Sequence, residues 1–165
     1  MKSTGMLHVV LLMIPGLLFY EAAWGQQVRY NYPGQEFSFM ATPNWDEEYG
    51  DYNGKEFKVI HPNHGMRISI SFVPGCHHPG RYMRKASGLR GLVCPGGNYD
   101  TLLHGYHALI MRGHCQQGKR PFTRMMVGFP VEEGLYVMEF CCPDECYAGH
   151  RDLVMEILDS VRIGV

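Results

Sequence analysis

Between Met66 and Phe72 the chain reads MRISISF, the stretch that most restricts its fold. Met66, Ile68, Ile70 and Phe72 take one side; Arg67, Ser69 and Ser71 take the other. A period of two places these sets on opposite faces of a strand. One face is therefore buried and one is wet, as in an antiparallel sheet covered on a single side. Shorter runs repeat the theme. Phe37 and Phe39 alternate with Glu36 and Ser38 in a first strand that ends near Pro43 and Trp45. Residues 57–60 form a second strand, closed by His61, Pro62, Asn63 and Gly65. Between these two strands, residues 46–54 read as an acidic, glycine-bearing loop.

The second half continues in strands. Residues 102–115 have strand composition, 116–121 supply a turn, and 122–129 run back. Residues 131–134 turn again, and 135–142 form a further strand that Pro143 stops. Two segments break this pattern. Residues 81–89 read as a short helix with Tyr82, Ala86 and Leu89 on one side, weakened by Gly88. The glycines at 91, 96 and 97, with Pro95, make a loop of the stretch after that helix. From Tyr147 to Val161 the period becomes helical. Tyr147, Val154, Leu158 and Val161 share a side, with Leu153 and Ile157 beside them. This predicts a long amphipathic C-terminal helix, with Asp144 or Glu145 favouring its positive end. Residues 161–163 read as a last short strand. The fold class expected is α+β, an antiparallel β-sheet packed against helices.

The first residues carry an export argument. Lys2 gives a positive start, and residues 6–20 are apolar apart from His8. That run is broken by Pro15 and Gly16 and is shorter than the ~20 residues a membrane span needs. Small residues at Ala23 and Gly25 suit cleavage after Gly25. The expected organisation is therefore a signal peptide over 1–25, a polar lead-in over 26–35 and a single domain over 36–165. Such a protein is periplasmic or secreted, with no stable membrane span after signal removal.

The net charge is −1, and removing Lys2 and Glu21 together leaves it unchanged. A near-neutral chain is not a default nucleic-acid binder, because phosphate neutralisation needs a basic face. Charge is nonetheless uneven: Asp46, Glu47, Glu48 and Asp51 form an acidic stretch, and Arg81, Arg84, Lys85 and Arg90 a basic one. These are either two solvated surfaces or a bipolar surface for docking a protein.

The order of segments resembles a known superfamily. "FSFMATPNW" enters a Pro-Trp corner, followed by "MRISISF", a short helix and the hairpin "ALIMRGHCQQGKRPFTRMMVGFP". "EEGLYVMEFCC" then closes the sheet, and a helix runs into "EILDSVRI". Over residues 36–163 this is similar to the PsbP/DcrB-like superfamily of photosystem extrinsic PsbP proteins and DcrB-like periplasmic proteins. The resemblance implies an antiparallel sheet packed between helices. It also implies work as an assembly factor, docking subunit, chaperone or envelope protein, mostly without catalytic machinery. No shared catalytic residue exists to carry over.

The six cysteines and nine histidines depart from that pattern. Cys76, Cys94, Cys115, Cys141, Cys142 and Cys146 all lie in the second half. In an exported chain an even number of cysteines argues for disulfides. Cys76 and Cys94 flank the short helix and are expected to pair. Adjacent strand residues point to opposite faces, so Cys141 and Cys142 are expected to take different partners, one Cys115 and the other Cys146. A second reading is metal, with His61, His64, Cys76, His77, His78, His104, His107, His114, Cys115 and His150 as soft or borderline donors. No CxxC pair is present, and the tightest candidate is Cys76, His77 and His78. A third is thiol chemistry, since Cys142 and Cys146 approach a helix start; their spacing is not that of a redox motif. GxGxxG and GxxxxGK[ST] are both absent.

The function expected is an exported, non-enzymatic binding, docking or assembly protein of the cell envelope, stapled by disulfides and using a protein partner. No catalytic residue and no cofactor are expected. The alternatives are a periplasmic metal-binding protein using Cys and His, and a thiol-disulfide oxidoreductase.

Overall fold

A computed structural model of the chain describes residues 27–33, 36–43, 45–50, 56–61, 65–89, 98–117 and 120–164. The segment read as an export signal lies outside these residues, as do His64, Arg90, Cys94 and the loop expected around Gly96.

The described residues form ten strands and two helices. In chain order they are β1 (Val28–Asn31), β2 (Phe37–Ala41), β3 (Asp46–Gly50), β4 (Glu56–Ile60), β5 (Arg67–Pro74) and α1 (Pro79–Leu89). Then come β6 (Asn98–Leu103), β7 (Tyr106–Gln117), β8 (Arg120–Val131), β9 (Gly134–Pro143), α2 (Asp144–Asp159) and β10 (Arg162–Ile163). A three-stranded sheet runs β1-β2-β10, and a seven-stranded sheet runs β3-β4-β5-β9-β8-β7-β6. All the pairings are antiparallel. The molecule is thus α+β, with antiparallel sheets and two helices.

The alternation along MRISISF does set the core. Ile68 and Ile70 stand opposite Phe140 and Met138 on β9 and opposite Val59 and Phe57 on β4. With Val127, Phe129 and Tyr136 they form the inner face of the large sheet. α2 covers that face through Val154, Ile157 and Leu158, and the small sheet adds Tyr30, Phe37, Phe39 and Ala41. Phe37 sits among aromatic rings, 5.0 Å from Tyr136 and 5.8 Å from Phe129. Cross-strand and inter-sheet aromatic pairs of this kind add to the area they bury. The N-terminal turn of α2 is tied to the hairpin β7–β8. The Thr123 hydroxyl donates to Asp144 at 2.7 Å, and His114 Nδ1 lies 3.3 Å from the same carboxylate. One turn on, the Arg112 guanidinium lies over the Tyr147 ring at 4.4 Å.

α1 packs on the outer face of the same sheet. Met83 meets Met111, Met126, Leu135 and Val137 there, in a smaller apolar cluster. Its sulfur sits over Gly128, where a Cβ would come within 3.2 Å of it. Because both faces of β9 are covered, Gly134 to Cys142 are buried without alternation.

Several local expectations differ from the structure. Residues 46–50 are not loop but the edge strand β3, whose exposed Asp46, Glu47 and Glu48 suit an edge that resists pairing with another chain. The lead-in contains β1, with Tyr30 and Tyr32 buried. Residues 102–115 contain two strands, parted at His104 and Gly105, which both have positive φ, 48° and 84°. Two such residues in a row make the tight turn whose twist matches a hairpin. α2 begins earlier than the periodicity suggested and spans 16 residues, an ordinary rather than a long helix. The last strand forms where expected, at Arg162–Ile163, against β2.

Candidate functional site

The outer face of the large sheet changes character beyond α1. Register sets its side chains in rows. One row runs Glu48, Lys58, Ser69, Glu139, Met126; the next runs Ile60, Arg67, Cys141, Arg124. Around Met126 the face is apolar and covered by α1. Beside that cover lies a polar cleft of about 230 Å3, lined by Glu56, Lys58, Arg67, Ser69, Arg124 and Glu139.

The floor of the cleft is an ion pair held on two central strands. Arg124 Nε stands 2.9 Å from Glu139 Oε1, and the side chains are only 9% and 6% exposed. Removing two charges from water to this degree is costly, and the attraction between them roughly offsets that cost. Such a pair is therefore weak as a source of stability. It does hold two charged groups in fixed positions. On the rim, Lys58 Nζ lies 3.3 Å from Glu56 Oε2. Arg67, half-buried, has no hydrogen-bond or ion-pair partner among the described residues. The Ser69 hydroxyl, on a buried residue, likewise has none. The lining holds three cationic and two anionic side chains, so one positive charge is left uncompensated.

The cysteines fall on both faces of the sheet. Cys76, Cys115, Cys141, Cys142 and Cys146 are free thiols in the structure, and Cys94 lies outside the described residues. The pairing expected for Cys115 does not fit the register. β8 lies between β7 and β9, so Cys115 is two strands, roughly 9.5 Å or more, from Cys141 and Cys142. A disulfide needs Cα atoms within about 7 Å. Cys141 shares the outer face with Cys115, whereas Cys142 points inward beneath α2. Burial pushes the Cys142 thiol up to about 12, with Cys141, Cys146 and Asp144 adding to the rise and Arg112 opposing it. Burial also raises Cys115, against the opposing pull of Arg124 and Arg67. A thiol held this way stays protonated at neutral pH, the reverse of an activated nucleophile.

The expected metal residues do not converge. Cys76 packs toward the Met83 cluster, while His77 and His78 are exposed and line an open cleft with Arg81 and Arg84. Two guanidinium groups there oppose a cation. Among the described residues no group of three or more His, Cys, Asp or Glu side chains is placed to hold a metal ion. The other histidines are spread out. His107 pairs with Asp100 at 2.7 Å, His104 with Asp159 at 3.5 Å and His114 with Asp144 at 3.3 Å. His61 stands edge-on to Trp45 at 5.1 Å, with His150 beyond it at 6.4 Å.

The residues that line the cleft went unmarked as a site in the sequence. Arg67 and Ser69 appear there only as the wet side of a strand. The usable signal was a lone charge of each sign inside otherwise apolar strands: Arg124 in TRMMVGF and Glu139 in LYVMEF.

No protein-family profile and no curated protein sequence matches the chain. Solved structures do. A Bacteroides thetaiotaomicron protein superposes with a TM-score of 0.61 at 15% identity, over 83% of this chain and 48% of its own. The chain therefore spans about half the length of that protein. The solution structure of PsbP from the cyanobacterium Synechocystis (CyanoP) gives 0.60 at 11% identity, over 84% of this chain and 92% of that one. LpqN of Mycobacterium tuberculosis, described as involved in cell envelope biogenesis, gives 0.58 at 14%, over 85% and 91%. These superpositions, with antiparallel sheets and two helices in this chain, show a PsbP/DcrB-like fold.

Proposed function

We propose that this is an exported, non-enzymatic protein that docks to, or helps assemble, another protein of the cell envelope. The observation that carries the reading is the separation of charge on the surface. Asp46, Glu47 and Glu48 stand exposed on the edge strand β3, and Arg81, Arg84 and Lys85 stand exposed on α1. Opposed patches of this kind steer and orient a charged partner more than they tighten it. The fold shared with CyanoP and with LpqN, the latter described by its part in envelope biogenesis, agrees with such work. Fold alone does not fix function, so the charged surface has to carry the reading.

Export would place the thiols in an oxidising compartment. There Cys142 and Cys146 are the pair we propose for a staple. They lie at the end of β9 and in the first turn of α2, on the same side of the sheet, and influence each other electrostatically. Cys76 and Cys94 remain the other proposed pair.

The test has two parts. Protein recovered from the envelope should begin at Gln26 and show a mass two hydrogens lower per bridge. In cross-linking from envelope fractions, the wild type should capture a protein that Asp46→Lys/Glu48→Lys or Arg81→Glu/Arg84→Glu variants fail to capture. Capture should weaken as salt rises toward 1 M, where screening shortens to about 3 Å. A partner whose capture is indifferent to both charge reversals would overturn the docking reading.

A further inference from the structure

We infer that the outer-face cleft is a binding site for a single carboxylate group. The inference stands on the cleft itself and does not depend on a protein partner. Three observations carry it. First, Lys58, Arg67 and Arg124 share the lining with two carboxylates, Glu56 and Glu139, while Glu48, opposite Lys58 in the register, stands outside it, so the lining itself has room for one more negative charge. Second, both acids already have a cation, at 3.3 Å and 2.9 Å, and the surplus falls on Arg67. Its guanidinium has no hydrogen-bond or ion-pair partner among the described residues, and its planar fork matches the two oxygens of a carboxylate. Third, the buried Ser69, next but one on the same strand and on the same face, offers a hydroxyl with no partner among the described residues.

Size and charge narrow the ligand. At about 230 Å3 the cleft is smaller than the roughly 300–1,000 Å3 of sites for drug-sized molecules. At the roughly 30 Å3 that a water molecule takes up, it holds a group of about eight heavy atoms or fewer. A dianionic phosphate would face Glu56 and Glu139 with only one charge to spare, whereas a monoanion neutralises the lining. A metal cation would meet three positive side chains. Arg67 and Ser69 are thus assigned as the direct donors. Arg124 is a positioning residue: its pairing at 2.9 Å holds the Glu139 carboxylate in place on the cleft floor. The carboxylate can come from a small free acid or from an acidic side chain of another protein; the chemistry at Arg67 is the same.

The experiment is an amide-resolved NMR titration of the folded protein with sodium acetate, set against sodium chloride at matched ionic strength. A second arm uses glutamate blocked at both ends as an amide. The expected result is saturable shifts at Arg67, Ser69 and Cys141 with acetate and not with chloride. Arg67→Gln should weaken binding roughly ten-fold or more, the loss of a charge-assisted hydrogen-bond pair. Ser69→Ala should weaken it less, and serves as the second variant if Arg67→Gln does not fold. Arg84→Gln, on α1 and outside the cleft, should leave it unchanged. Binding of acetate alone assigns a small free acid as the source, and binding of the blocked glutamate as well admits a side chain. Saturation by neither probe overturns the site, as does equal weakening by Arg84→Gln.

Discussion

Arg124 and Glu139 sit at the centre of a sheet where most neighbours are apolar, and what each loses without the other can be measured. Arg124→Met leaves a carboxylate buried beside Met126 and Ser69. The expected loss is about 3–5 kcal/mol in urea unfolding, because an uncompensated charge is left in the interior. The double change Arg124→Met/Glu139→Leu should recover most of that, since an apolar pair of similar volume often matches a buried ion pair. A double variant as unstable as the single one would show that the pair contributes more than mutual compensation. Cys142 makes a second prediction, through pH. Its folded value lies above the ordinary 9.0, near 12. The folded state therefore favours the neutral thiol, and that contribution is fully present below pH 9.0. As pH rises from 9.0 toward 12 the unfolded chain ionises first, and stability falls. Reduced protein should show this alkaline loss. Cys142→Ala should lessen it, as should oxidation of Cys142 to a disulfide, with Cys115, Tyr30, Tyr32 and Tyr136, all raised by burial, supplying the remainder.

At the scale of elements, the hairpin β6–β7 depends on its turn. Gly105, at φ 84°, occupies a conformation that costs an L side chain about 1–2 kcal/mol, so Gly105→Ala should lower stability by that amount in thermal or urea melts. Helix α2 depends on its buried stripe. Ile157→Ala, at a side chain 1% exposed against both sheets, should cost about 2–5 kcal/mol. These elements were not equally legible in the sequence. The alternation at Ile68 and Ile70 and the helical period of Val154, Ile157 and Leu158 give strand and helix directly, because each gathers its apolar side chains on a single face. β3 was hidden because its charges look like loop composition; on a sheet edge they are what keeps the strand from pairing further. The turn at His104 was hidden because the sequence HG carries positive φ more weakly than NG or DG does. The cleft was hidden for a different reason. Its members come from β4, β5, β8 and β9, and their rows exist only once register is set.

The whole molecule is closed by its small sheet. β2 holds β1 on one side and β10 on the other, and the Ser160 hydroxyl accepts from the Met40 amide at 2.7 Å. The Tyr106 hydroxyl, on the large sheet, donates to the Ile163 carbonyl at 3.1 Å and accepts from its amide at 3.2 Å. Deleting residues 161–165 removes the two Tyr106–Ile163 hydrogen bonds and the side chains of Val161 and Ile163, both buried. At about 1.5–3 kcal/mol for each buried aliphatic side chain, the expected loss is roughly 3–6 kcal/mol. It should appear as a lowered melting temperature in a protein that still shows the near-ultraviolet signature of a packed core. The same arrangement has a consequence in time. Met40 and Ser160 are 120 residues apart, and β2 cannot complete its sheet until residues 162 and 163 arrive. Pairings at such separation form slowly. A chain delivered from its N-terminus therefore keeps β2 half-paired while the rest emerges, and becomes fully knit only when its last strand is free. Under the export proposed above, that delay would keep the chain loosely folded until its last strand had crossed.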